Sequence, residues 1–152
     1  MAVSQLNIDL RRLWWVGPLT VVAAIAAVLI VRVVAFATLD LSPEFPPLSW
    51  SGPIIFTAVL VSAAVLVFVI VARRSSMPAR TYRRIAFVAL LVSFVPDLFL
   101  PGTDPGATWP ASIVLMAMHV AAWLTTVFLL THPALVGKRH ESAATTPPES
   151  RP

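Results

Sequence analysis

The chain has 152 residues, 58% of them hydrophobic and only 12% charged, with a mean hydropathy of +0.85. A soluble domain of this size cannot hide so much apolar surface, because small folds expose a large share of their area; lipid must be the solvent for much of it. The net charge of +4 is no nucleic-acid footprint here, since the basic residues flank apolar runs, and the absence of cysteine excludes disulfides, thiolate metal sites and cysteine nucleophiles.

Four apolar runs follow one another: Leu13–Phe36, Pro53–Ala72, Ile85–Leu100 and Ala111–Thr131. Each has about the length a helix needs to cross ~30 Å of hydrocarbon at ~1.5 Å per residue. The first run carries Arg11-Arg12 before it and Ala35-Phe36-Ala37 near its end, an arrangement resembling a signal peptide. Its uncharged stretch is longer than a usual signal core, and Arg32 interrupts the approach to that site, so an uncleaved span is expected. Ser51 is the expected cap of the second span, with Pro53 in its first turn. The third span is the shortest. Arg83 and Arg84 extend it by reaching toward headgroups, and Pro96 leaves the Val92 carbonyl without a donor, which predicts a kink. Pro110 suits the start of the fourth span. The pairs Ala23/Ala27, Ala58/Ser62 and Ala117/Ala121 offer small surfaces for helix packing. Residues 1–136 form the membrane domain, and the polar tail 137–152 is expected to be disordered. The expected fold is all-α: a polytopic membrane protein built as an antiparallel four-helix transmembrane bundle.

Ten of the eleven basic residues lie on one side of such a bundle. Arg11 and Arg12 precede span one, Arg73, Arg74, Arg80, Arg83 and Arg84 fill the second connector, and Lys138, Arg139 and Arg151 follow span four. The other two connectors hold Asp40, Glu44 and Asp104 and no basic residue. This bias predicts a plasma (inner) membrane protein with both termini cytoplasmic. The connector arginines set topology, and they can also meet anionic lipid headgroups.

Three strongly ionisable side chains fall inside the runs: Arg32, Asp97 and His119. Charged groups at such depth cost roughly 2.5–3.5 kcal/mol on insertion scales and turn toward protein or water. Counting from the span ends puts Arg32 and Asp97 both ~5–6 Å below the outer surface and His119 ~12 Å below it. An Arg32–Asp97 ion pair is therefore expected, with His119 a turn deeper and reached through water or a hydroxyl. Ser93 shares a helix face with Asp97. Ser112, His119 and Thr126 recur at seven-residue intervals, with Met116 and Trp123 beside them, and this stripe is expected to face inward. The bland readings are that Asp97 stabilises the proline-bearing helix end, Arg32 snorkels, His119 bonds a neighbouring carbonyl and Trp123 packs.

Ser93, His119 and Asp97 are the residue types of a hydrolase triad, but no G-x-S-x-G elbow accompanies them. His119 and His132 lie on one helix, so a single chain does not offer two facing haem ligands, and no metal motif is present. No cofactor is expected.

Three segments carry a family resemblance. Ala79-Arg80-Thr81 with Arg84 precedes span three, Leu91-Val92-Ser93-Phe94-Val95-Pro96 lies within it, and Leu115-Met116-Ala117-Met118-His119-Val120 with Ala122 lies in span four. Over about Arg73 to Trp123 the chain resembles a family of small four-span bacterial membrane proteins, domain of unknown function 6069. The resemblance implies four spans and marks Ser93, Pro96 and His119 as shared features. It implies no activity, and it does not extend to Asp97.

Two functions follow as expectations. One is a small structural, accessory or interaction module, without enzymatic chemistry, whose partners are the lipid bilayer and a second copy or another membrane protein, not nucleic acid. The other is proton-linked or small-solute transport or binding through the intramembrane Arg32–Asp97–His119 cluster. A water-accessible cavity joining Asp97 and His119 to the surface would favour the second reading, and a dry, packed bundle the first.

Overall fold

The computed structural model describes residues 10–42, 45–103 and 106–132, with side chains from Trp14 onward. Four α-helices follow in order: α1 Leu10–Thr38, α2 Ser51–Arg74, α3 Pro78–Phe99 and α4 Trp109–Thr131, with a short 3-10 turn at Pro46–Leu48 between α1 and α2. The expected tail, the flanking residues Arg11, Arg12, Lys138, Arg139 and Arg151, and the acidic Glu44 and Asp104 lie outside the described side chains.

Burial runs opposite to that of a soluble bundle. Ile54, Ile55, Phe56, Val59, Val88, Val92, Ile113 and Phe128 face outward, whereas Thr20, Thr57, Ser112 and Thr126 are buried. Lipid tails are as apolar as leucine, so the outer faces lose nothing by exposure and the interior accommodates the small polar groups. Among the described residues three helices are long and apolar enough to cross a membrane: Trp14–Thr38, Ser51–Arg74 and Trp109–Thr131. α3 is the exception. It is helical over 22 residues, longer than the sixteen-residue apolar run, because Pro78 occupies its first turn, where a missing N–H costs nothing. Arg80, Arg83, Arg84 and Asp97 dilute its apolar character, so packing within the bundle carries it.

The helices pack around a ring. α1 lies against α2 and α4, and α3 lies against α2 and α4. α1 and α3 therefore sit across a diagonal. α1 turns inward a stripe of Thr20, Ala24, Val28 and Arg32, each four residues from the last. That stripe is one residue out of register with the expected Ala23/Ala27 pair. Ser62 and Ala117 are exposed, so those small pairs do not form the buried seams either.

Helix starts are set by local chemistry. Ser51 is not the cap of α2: it is already helical, and Ser49 Oγ accepts the Gly52 N–H at 3.2 Å instead. At α4, Thr108 Oγ1 accepts the Ala111 N–H and Pro110 sits in the first turn. α1 remains helical through Ala35-Phe36-Ala37, with Ala35 in the core.

Two clusters hold the bundle. At the arginine-rich end Phe68, Val71, Tyr82 and Leu130 join α2, α3 and α4, with the Phe68 and Tyr82 rings edge to face at 5.1 Å. Arg83 adds a polar tie across the same end, donating from Nε and Nη2 to Thr131 Oγ1. At the opposite end Leu41, Phe45 and Leu48 of the α1–α2 connection pack with Val28, Ala111, Val114, Leu115 and Met118. The connection thus folds over the bundle.

Candidate functional site: an aspartate–histidine pair beside a cavity

α3 and α4 are neighbours, and they bring Asp97 and His119 together. His119 Nδ1 lies 3.2 Å from Asp97 Oδ2 and 2.9 Å from the carbonyl oxygen of Leu115, one turn earlier on α4. Two acceptor oxygens face this one ring nitrogen. A lone pair there would meet two others, so the proton of the neutral ring sits on Nδ1 and Nε2 is the free acceptor. The N–H is aligned on Leu115, with the carboxylate at ion-pair distance beside it, and Oδ2 has no aligned hydrogen bond among the described residues. The side chain of Asp97 is 9% exposed and that of His119 31%. Phe94 of α3 meets the imidazole edge to face, 6.5 Å between centroids, and fixes its plane.

This contact revises the depth count. Asp97 is two residues from the end of α3, while His119 is ten residues into α4. They can touch only if α4 overshoots α3 by roughly two turns, ~12 Å. The α1–α2 connection packs against α2 and the start of α4.

Arg32 does not pair with Asp97. It is buried, at 7% exposure, and its Nε donates to the Leu48 carbonyl at 2.8 Å. Its guanidinium lies 3.9 Å from the centroid of the Trp50 ring and 4.5 Å from that of Phe36. The expected pair fails because depth was matched but neighbourhood was not: α1 and α3 face each other across the ring. Arg32 instead clasps the α1–α2 connection by a charged hydrogen bond and stacking, a use that suits the flat guanidinium. It did not need to snorkel.

Ser93 lines the same face as Asp97, but its hydroxyl donates to the Leu90 carbonyl at 2.7 Å. It is committed to its own helix, so the three triad residue types do not assemble a nucleophile. Pro96 lies within α3, which runs on to Phe99. On α4, Ser112 and Thr126 are buried and His119 half-buried, so the expected inward stripe is present. The arginines Arg73, Arg74, Arg80, Arg83 and Arg84 are all exposed at one end. No cluster of three histidines or carboxylates able to hold a metal occurs among the described residues.

A cavity of about 520 Å³ opens beside the pair, walled by α2, α3 and α4. Asp97, His119, Ser93, Pro96, Leu115 and Met118 line one end, and Tyr82, Ala86 and Val127 the other. Pro47 of the 3-10 turn also contributes. The lining is almost wholly apolar. Tyr82 Oη and Trp123 Nε1, both on lining residues, are buried without a hydrogen-bond partner among the described residues, and Asp97 Oδ2 has only the ion-pair contact with His119. Each unmade bond of this kind costs about 1–3 kcal/mol. The cavity is what the sequence reading missed. Trp123, read as packing, was its one trace: an indole midway along a span, with Phe87 at 6.3 Å.

The match to known families covers nearly all of this bundle, residues 8–135. The chain belongs to DUF6069, a family of unknown function. No curated protein and no solved structure matches it. The matched region carries four helices, three of them fit to span a membrane, and Ser93, Pro96 and His119 all border the cavity.

Proposed function

We propose that the protein is a membrane-embedded binding module that holds a small amphipathic molecule between α2, α3 and α4. The cavity carries this reading. Its volume falls within the roughly 300–1,000 Å³ of small-molecule sites, and it has their usual makeup of apolar walls with a few polar groups converging at one place. The Asp97–His119 pair is the polar anchor. A bundle serving only as a scaffold would gain packing energy by filling such a space.

The module is read as binding rather than conducting. Toward the arginine-rich end the lining is mostly apolar, Leu60, Val61, Ala86 and Val127, with the separate hydroxyls of Thr57, Thr126 and the occluded Tyr82 as its polar groups, a sparse set for passing a proton onward. No catalytic step is assigned, because Ser93 is engaged and no other nucleophile adjoins His119. The arginine bias supports a plasma-membrane protein with both termini in the cytoplasm.

Native mass spectrometry of protein extracted in mild detergent tests the reading. The wild type should retain a small bound mass, and Ala122→Phe, which fills the cavity wall, should lose it while melting no lower than wild type. A wild type of bare mass, with Ala122→Phe unable to fold for want of space, would refute the binding role.

A further inference from the structure

The same cavity also tells how an occupant enters and which chemical group anchors it. Phe56 and Leu60 of α2 both line the cavity and are more than half exposed on the outside of the bundle. Ala89 and Pro96 of α3 also line it and are exposed. α2 and α3 are the least closely packed of the sequential helix pairs. The gap between them is flanked by Ile55, Val59, Val88 and Val92, all exposed and apolar, so it faces hydrocarbon, not water. From Tyr82 to Asp97 the wall follows α3 for ~22 Å, room for an aliphatic chain lying along the helices.

At the polar end the chemistry is selective. No lysine or arginine lines the cavity, so an anionic head has no counter-ion. Asp97 is covered and occupied by His119, so a cationic head would have to displace the imidazole. Nδ1 of His119 is spent on Leu115 and Asp97. What remains of the pair is Nε2, an acceptor, held in orientation by a carboxylate and a carbonyl behind it, while the unpartnered Trp123 N–H one turn along α4 can donate to the same hydroxyl oxygen. On the reading that the cavity is a binding site, we infer that its occupant is a lipid-soluble, uncharged hydroxyl compound. It enters sideways between α2 and α3 and donates its hydroxyl proton to Nε2 of His119.

Trp123 in the wall makes this measurable. A variant retaining only that tryptophan (W14F, W15F, W50F and W109F) would be placed in lipid nanodiscs. It would then be titrated with 11-bromoundecan-1-ol, its methyl ether and 1-bromoundecane, each a heavy-atom quencher. The alcohol should quench saturably and bind about fivefold more tightly than the ether, the worth of one net hydrogen bond. His119→Phe, which keeps an aromatic ring against Phe94, should abolish that preference while still binding all three; His119→Gln, which keeps an acceptor, should retain part of it. Ala89→Phe, at the gap, should slow the approach to saturation. Saturable quenching that ignores the head group would leave the binding site standing and overturn the hydroxyl assignment. An unchanged rate in Ala89→Phe would overturn lateral entry. Quenching that never saturates with any probe would remove the binding site itself.

Discussion

His119 and Arg32 show how one residue in lipid settles its polar obligations. The imidazole leans on a carbonyl of its own helix and on a carboxylate from the next, an arrangement that orders the ring and selects its tautomer. Nitrogen NMR of histidine-labelled protein should therefore find His119 protonated at Nδ1 when neutral. Asp97→Leu should broaden that signal as the ring loses one of its two restraints, whereas Asp97→Asn, which keeps an acceptor oxygen, should preserve it. Arg32 meets its obligation with a carbonyl and two rings. Arg32→Ala should lower stability by about 3 kcal/mol, combining a charged hydrogen bond with desolvated stacking. Arg32→Lys should recover less than half, since an ammonium cannot lie flat between Phe36 and Trp50. Thermal unfolding in detergent measures both.

Among the elements, the connections matter as much as the helices. The 3-10 turn Pro46–Leu48 is pinned from below by Arg32 and from the side by the start of α2, where a Cβ on Gly52 would lie 2.8 Å from the Pro46 carbonyl oxygen. Backbone cannot yield as a side-chain tip does. Gly52→Ala should therefore destabilise the fold by about 1–3 kcal/mol as an overpacked site, and limited proteolysis should then cut the α1–α2 connection sooner. Gly106, at φ +86°, is the second position of this kind: a Cβ there would be strained in itself and would press on Ser42 and Phe45. Both glycines let the α1–α2 connection close against the starts of α2 and α4. α3 in turn owes its place to neighbours, because Arg80, Arg83, Arg84 and Asp97 make it the least apolar of the four. Arg83→Ala removes its tie to Thr131 and should loosen the arginine-rich end with little effect on the Asp97–His119 contact.

For the whole molecule, the ring order of helices and the sidedness of its arginines are the two large-scale facts. Because the chain has no native cysteine, single cysteines report topology cleanly. A cysteine at Ser76 should react with a membrane-impermeant maleimide only after the membrane is breached, and one at Thr103 should react in intact cells. The reverse pattern would contradict the orientation drawn from the arginines. The ring also explains where a cavity could arise. α1 packs closely on α2 and α4, while α3, sparingly packed on α2, leaves space on its side of the bundle.

The helices, their order and the identity of the buried ionisable residues were legible along the chain, because hydrocarbon imposes length and apolarity on every span one residue at a time. The seven-residue stripe Ser112, His119 and Thr126 was legible for the same local reason. Partnership was not. Arg32 and Asp97 share a depth from their span ends, yet lie across a diagonal, and Asp97 meets His119 because α4 rises past the end of α3. Ser49 rather than Ser51 accepts the Gly52 N–H at the start of α2, since that bond depends on where the preceding turn folds. Depth and hydropathy are properties of a single segment, so a linear reading can recover them; lateral neighbours, helix overshoot and empty space belong to pairs of segments, and only their packing fixes those.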